Sequence, residues 1–263
     1  MLDQWLVIAI FIAAILCEFI DSSLGGGYGT ILTPLFVSFF GINKNTIVVS
    51  ILISEILTGI LGPLSHHGFG NTKFDRSEEG KQNWKILGLI GGLGTIAAFF
   101  TVFIAISINK FLFGIYIGTL VTCMGLLMLR KKKFKFSWKK LAGVGTLAAF
   151  NKSLSGGGFG PLVTAGQVVS GRDLKSSIAS ALSTETPICI AGLLGYIWLQ
   201  PAVFTIDFFA FTTALCVGAI PGAILGALAT NLIGKNEIKL KYITIGLILF
   251  LGVFSLLRTI LGF

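Results

Sequence analysis

Lys152 is the one cation set inside a long apolar stretch rather than in a loop, three residues ahead of Ser155 and the triplet Gly156-Gly157-Gly158. An unpaired ammonium is costly to bury, so such a lysine has a partner or a task, and its natural task is to be the counter-charge of an anion. Asp21 holds the corresponding place ahead of an earlier triplet, Gly25-Gly26-Gly27, and is the expected partner when no anion is bound. A purely structural Asp21–Lys152 pair, fixing two segments against each other, is the alternative. Ser22, Ser23, Asn151, Ser153 and Ser155 lie beside these charges. Hydroxyls and amides donate to anionic oxygens without adding net charge, although serines near a helix break also satisfy freed backbone groups. Glu55 and Glu185 stand at matching depths in apolar runs, next to Ser54 and Thr184, and Glu18 lies further up the first run. Carboxyls in apolar surroundings can exchange a proton near neutral pH, which is what proton coupling requires. Their alternatives are a carboxyl bonded to a neighbouring helix, or one paired with Lys152. His66-His67 invites a metal, but adjacent helical residues point about 100° apart and no third ligand follows at useful spacing, so no metal and no cofactor is expected.

The elements that hold these residues are apolar. Of 263 residues 54% are hydrophobic and 12% charged, and mean hydropathy is +0.90. A soluble domain carries roughly 25% charged residues, so a soluble enzyme, a disordered chain and a nucleic-acid binder are all excluded. The class is a polytopic membrane protein of the cell membrane. Cys17, Cys123, Cys189 and Cys216 stand singly in apolar stretches, without metal-ligand spacing or a disulfide framework. The start, Met1 to Trp5, lacks a basic n-region, so the first apolar segment is expected to be retained.

Runs long enough to span, given about 20 helical residues per bilayer core, cover roughly 46–65, 86–107, 111–129, 176–199, 208–231 and 240–261. Runs at about 5–40 and 141–170 are each broken in the middle by polar residues and a glycine triplet. They echo each other: Ser22-Ser23-Leu24-Gly25-Gly26-Gly27-Tyr28-Gly29 against Ser153-Leu154-Ser155-Gly156-Gly157-Gly158-Phe159-Gly160. Ser54-Glu55 then matches Thr184-Glu185, and Leu129-Arg130 matches Leu257-Arg258. A duplicated fold follows, with a first repeat at 1–129, a basic joint at 130–140 and a second repeat at 141–263.

Charge selects the orientation. If each broken run crosses once, the repeats are parallel, with 12 Lys/Arg inside and seven outside. If each is a re-entrant hairpin, segments 67–85, 130–140, 171–175 and 232–241 are cytoplasmic and hold 16 Lys/Arg, leaving only Lys44, Lys110 and Arg258 outside. The positive-inside rule favours the second arrangement. The expected fold is therefore all-α: two inverted repeats, each a Gly-broken re-entrant hairpin plus three full transmembrane helices. A half-helix starts after each triplet, near Tyr28 and near Phe159, and its free N–H groups and positive dipole end suit an anion. Two half-helices aimed at one midplane site recur in transporters, whereas the bland reading of the glycines is close helix packing. Gly114 to Gly118 and Gly222 to Gly226 fit small-xxx-small packing, either internal or across a homodimer. The basic joint sets topology or binds anionic headgroups, with Trp138 as an interfacial anchor.

The run Gly25-Gly26-Gly27-Tyr28-Gly29-Thr30-Ile31-Leu32-Thr33-Pro34-Leu35, its echo at 156–160 and the duplicated layout resemble the TauE/SafE sulfite-exporter family over nearly the whole chain. The resemblance implies transport of small sulfur-containing anions, with sulfite, sulfoacetate and related organosulfonates as the class. The second repeat departs from the motif, with Ala165 where the first has Pro34 and with Pro161 early in its half-helix. The expected function is a secondary transporter working by alternating access with possible proton coupling, in contact with membrane lipids and no nucleic acid. A passive anion or small-solute channel built on the same hairpins is the alternative. Neither a Gly-x-Ser-x-Gly elbow nor His-Glu-x-x-His nor a P-loop is present, which disfavours an enzyme and an ATP-driven pump.

Overall fold

A computed structural model of the chain describes residues 4–129, 137–232 and 237–262; positions 130–136 of the expected basic joint lie outside them. All regular structure among the described residues is helical. In chain order the main helices are α1 Gln4–Leu24, α2 Tyr28–Phe39, α3 Lys44–Gly68, α4 Glu78–Ser107 and α5 Lys110–Met128. They are followed by α6 Trp138–Ser155, α7 Phe159–Val169, α8 Leu174–Leu199, α9 Ile206–Leu232 and α10 Glu237–Leu261. Boundaries are written in the side chains. Asn43, Ser77, Asn109 and Asp173 each accept a backbone N–H from the first turn of α3, α4, α5 and α8. In α2 the ladder widens into a π-turn over Pro34–Phe39, because Pro34 has no N–H to donate.

Among the described residues seven helices are long and apolar enough to cross a membrane, one more than the six full spans expected. The addition is α1, the first limb of the first hairpin, 21 residues long and apolar without a break from Trp5 to Cys17. Its counterpart α6 carries Lys139, Lys140, Asn151 and Lys152 and is not among the seven. The molecule is apolar outside and polar within. Phe100, Trp198 and Ile243 are more than 60% exposed, whereas Glu18, Asp21, Glu55, Lys152 and Glu185 are at most 2% exposed. A lipid solvent stabilises that distribution and water would not.

Packing pairs the elements reciprocally. Helix α1 lies along α9 and α6 along α4; α3 packs on α9 and α8 on α4; α3 meets α8, and α5 meets α10. The small-residue stripes serve these internal contacts. A Cβ added at Gly218, Gly222 or Gly226 of α9 would lie 2.5, 2.6 or 2.8 Å from the carbonyl oxygen of Phe11, Ile15 or Phe19 on α1. Gly118 of α5 meets Leu256 of α10 in the same way, with 2.8 Å from an added Cβ to its nitrogen. Without a hydrophobic force between helices in lipid, such backbone contact is what holds them together.

Candidate functional site

Both helix breaks are built alike. Gly25 N donates to Asp21 O and Gly156 N to Lys152 O, each at 2.7 Å, closing the preceding helix. Gly25 and Gly27 in the first break, and Gly156 and Gly158 in the second, have φ between 66° and 83°. That left-handed region costs an L side chain about 1–2 kcal/mol per residue and is open to glycine. The two breaks cross. Thr33 Oγ1 donates to Ser155 O at 2.7 Å, and Gly158 N donates to Thr30 Oγ1 at 2.9 Å. A Cβ on Gly160 would stand 3.1 Å from Gly27 Cα, and one on Gly29 would sit on the carbonyl of Gly156. Gly29→Ala is therefore expected to destabilise the fold by about 3 kcal/mol or more, since backbone on both sides has nowhere to move. Gly143→Ala, an exposed helical site with nothing within 4 Å of the new Cβ, should be neutral or stabilising by about 0.5–1 kcal/mol. Thermal unfolding of the two variants in detergent compares them directly.

At the crossing lies a closed charge cluster. Lys152, near the end of α6, makes ion pairs with Glu55 of α3 and, at 3.3 Å, with Glu185 of α8. Asp21 completes the group, since oxygens of Asp21, Glu55 and Glu185 lie within 4.8 Å of one another. The direct partners of Lys152 are thus Glu55 and Glu185, the alternative left open for those two carboxyls, and not Asp21. Asp21 instead accepts Gly27 N at 2.7 Å through Oδ1. The anion that meets the first half-helix in this structure is the chain's own Asp21. At the second, Gly157 N donates to Ser155 Oγ at 3.3 Å, and Gly158 N is taken by Thr30. Tyr28 and Phe159, which open the half-helices, are fully buried.

The cluster holds more acid than base. Beside the ammonium of Lys152, Glu18 is wholly buried with neither oxygen hydrogen-bonded among the described residues, and Asp21 Oδ2, Glu55 Oε1 and Glu185 Oε2 are likewise unbonded there. Four carboxyl groups and one lysine share a region sealed from solvent, a concentration of charge that packing alone does not call for.

The expected serines divide. Ser22 Oγ donates to Ala223 O of α9 at 2.9 Å, Ser23 Oγ to Phe19 O at 2.6 Å and Ser155 Oγ to Asn151 O at 2.8 Å, so these hydroxyls serve backbone carbonyls, the first across helices and the other two within their own helix. Asn151 Oδ1 takes the Tyr116 hydroxyl. Ser153 Oγ alone of the set is buried without a partner among the described residues. Gly26 touches Ile20, and a Cβ there would lie 2.7 Å from the Ile20 side chain. His66 is occupied by hydrogen bonds, with Nε2 at 2.8 Å from Ser22 O and Nδ1 at 3.1 Å from Asn71 Nδ2.

Residues not anticipated from sequence close the end of the molecule where α3, α4 and α8 meet the loops. Arg172 donates to Gln167, to Ser180 at 3.2 Å and to Asn83 at 2.5 Å. Glu79 accepts from Thr72 at 3.1 Å and from Ser176 at 2.8 Å, joining the 70s loop to the start of α8. Burial pushes the Arg172 guanidinium down to about 10, against the pull of Glu79 and Asp173, and it remains charged at neutral pH. Two threonines that face the opposite break also lie outside the sequence reading, Thr33 and Thr164, the latter 2.7 Å from a Cβ added on Gly25; both fall six residues after the third glycine of their triplets. Carrying the repeat six residues further would have found them.

Residues 10–255 match the family described as "Sulfite exporter TauE/SafE". Over 167 residues the chain is 30% identical to a protein of Bacillus subtilis (strain 168) described as "Probable membrane transporter protein YtnM". That match takes in 60% of this chain and 53% of the relative, so the chain spans about half the length of the curated protein it resembles. No solved structure matches.

Proposed function

Because the chain belongs to the sulfite exporter TauE/SafE family of membrane proteins, we propose that it carries a small sulfur-containing anion across the membrane by alternating access, coupled to protons at Glu55 and Glu185. The single observation behind this reading is the buried Lys152 held between those two carboxylates. An ammonium so paired is not available to a substrate. A proton delivered to either carboxyl weakens its hold on Lys152 and leaves a positive group for an anion to meet. Anion and proton then occupy the cluster together, because each without the other leaves an unbalanced charge out of water.

The remaining residues have subsidiary roles in this reading. Asp21 keeps the first half-helix N-terminus filled until substrate arrives, and the N–H groups near Gly27, Tyr28, Gly158 and Phe159 become donors when the crossing opens. Ser153 Oγ, unbonded and buried, is a ready donor to a sulfur oxyanion. Closure of the cluster on every side corresponds to an occluded stage of alternating access. The two repeats are taken as inverted, which places 67–85 and 171–175 inside and the Gln200 loop outside.

Uptake of sulfite, thiosulfate, sulfoacetate and acetate into proteoliposomes, with and without an imposed pH gradient, tests the proposal. Saturable uptake of at least one sulfur-containing anion, stimulated by the gradient, is expected. Non-saturating flux that ignores the gradient would replace this reading with a channel.

A further inference from the structure

Past the charge cluster, toward the 70s loop, a groove of about 740 Å³ runs between α3, α4 and α8. Among the described residues no Asp, Glu, Lys or Arg lines it, and its rim residues Ile60, Leu64 and Trp84 are exposed where lipid surrounds the helices. Its volume is that of a small-molecule site. Each of the three helices is irregular where it faces this space. Pro63 in α3 and Pro187 in α8 have no N–H, so Gly59 O and Ser183 O, four residues earlier, lose the donor that a regular helix supplies. In α4 the ladder widens into a π-turn over Leu87–Gly91, and a Cβ on Gly91 would lie 3.2 Å from Pro187 Cγ. Such π-turns gather at functional sites.

Thr186 adds a third unmet group. Thr95, Thr101 and Thr122 each donate to the carbonyl four residues back, the usual habit of a helical threonine in an apolar setting. Thr186 does not: its Oγ1 faces Gly59 and is buried with no hydrogen-bond partner among the described residues. The side-chain donors of the groove are otherwise spent. Ser183 Oγ donates to Ser180 O at 2.8 Å and Thr95 Oγ1 to Gly91 O at 2.6 Å. At the mouth, Trp84 Nε1 donates to Phe74 O and His67 Nδ1 to Thr72 O, each at 3.2 Å. What remains is two carbonyls and one hydroxyl in an apolar channel. Gly59 lies nine residues before Gly68, the end of α3, which puts it about 14 Å along the helix and within hydrocarbon depth. Acyl chains cannot meet these groups, and an anion, which only accepts, cannot serve the carbonyls. A neutral hydroxyl does both, donating to a carbonyl and accepting from Thr186.

We propose that this groove binds a neutral, membrane-soluble alcohol, with its hydroxyl at Thr186 and the freed carbonyls of Gly59 and Ser183 and its apolar chain running out past Trp84. The ligand is distinct from the transported anion, and the site does not depend on which anion the protein carries or on proton coupling.

A dodecanol with a terminal bromine, compared with its methyl ether, tests this in phosphatidylcholine nanodiscs. The two probes share a shape and differ in the hydroxyl donor, and bromine quenches indole fluorescence on contact. The reporter is Trp84 in the full chain carrying Trp5→Phe, Trp138→Phe and Trp198→Phe. Quenching by the alcohol is expected to saturate, at a membrane concentration roughly tenfold lower than for the ether. Thr186→Val, which keeps the volume and removes no existing hydrogen bond, should weaken the alcohol about fivefold and leave the ether unmoved. Gly88→Leu places a side chain in the groove where nothing lies within 4 Å of the new Cβ, and should abolish saturable quenching by both probes. Gly92→Leu, equally unobstructed, takes its place if that variant fails to fold. Quenching by the alcohol that never saturates, that matches the ether, or that is unchanged in Thr186→Val or in the groove-filling variant would overturn the proposal.

Discussion

Lys152→Met is expected to abolish saturable anion uptake and to lower stability by about 3–5 kcal/mol, the usual consequence of removing one partner from a buried ion pair. Both effects come from the same geometry. Without the ammonium, Glu55 and Glu185 face each other across a region at most 2% exposed, with Asp21 beside them. The loss of folding can be separated from the loss of transport. In the triple variant Lys152→Met/Glu55→Gln/Glu185→Gln no charge is orphaned in the trio, and stability should return to within about 1–2 kcal/mol of the unmodified chain, because well-packed neutral groups replace buried ion pairs at little cost. Transport should stay absent. Thermal unfolding and uptake on the same preparations give both readouts, and recovery of uptake in the triple variant would show that the cluster is structural only.

The second large effect is on coupling. Glu55→Gln and Glu185→Gln retain size and hydrogen-bonding capacity but cannot give up a proton. Each is expected to reduce gradient-driven accumulation, and the double variant should remove it while downhill flux continues. A gradient of one pH unit is worth about 1.4 kcal/mol for each coupled proton, about tenfold in accumulation, so the effect is readily measured. Glu18→Gln is the comparison. Glu18 is buried and unbonded but makes no ion pair with Lys152, and its loss should leave the gradient response intact. Full gradient dependence in the Glu55→Gln/Glu185→Gln variant would assign coupling elsewhere.

Much of this arrangement is legible in the chain itself. The glycine triplets mark the helix breaks because only glycine accepts φ of 66–83° there, and their repetition predicts that the breaks are equivalent. The burial of Lys152 follows from the apolar run that contains it. What the sequence does not carry is pairing across the repeats. Glu55 and Glu185 meet Lys152 because α3 packs on α8 with α6 alongside, a tertiary contact between segments 130 residues apart. Asp21 has the right position in the repeat, yet its side chain turns to the Gly27 amide, a local partner that forms at less entropic cost. The serines show the same limit: residue type announces a hydroxyl, and geometry decides that Ser22, Ser23 and Ser155 bond to backbone while Ser153 does not. Helix α1 exceeded expectation for a simpler reason. A polar break fixes where a helix ends and says nothing of how far the apolar part before it extends.

Proton movement accompanying anion flux tests the central claim most directly. A pH-sensitive dye sealed in proteoliposomes would be followed on addition of thiosulfate, which carries no exchangeable proton near neutral pH, with no pH gradient imposed. A dye response that depends on thiosulfate, saturates with it and disappears in Glu55→Gln/Glu185→Gln is the predicted result. Thiosulfate flux of normal rate with no accompanying proton movement would contradict the account.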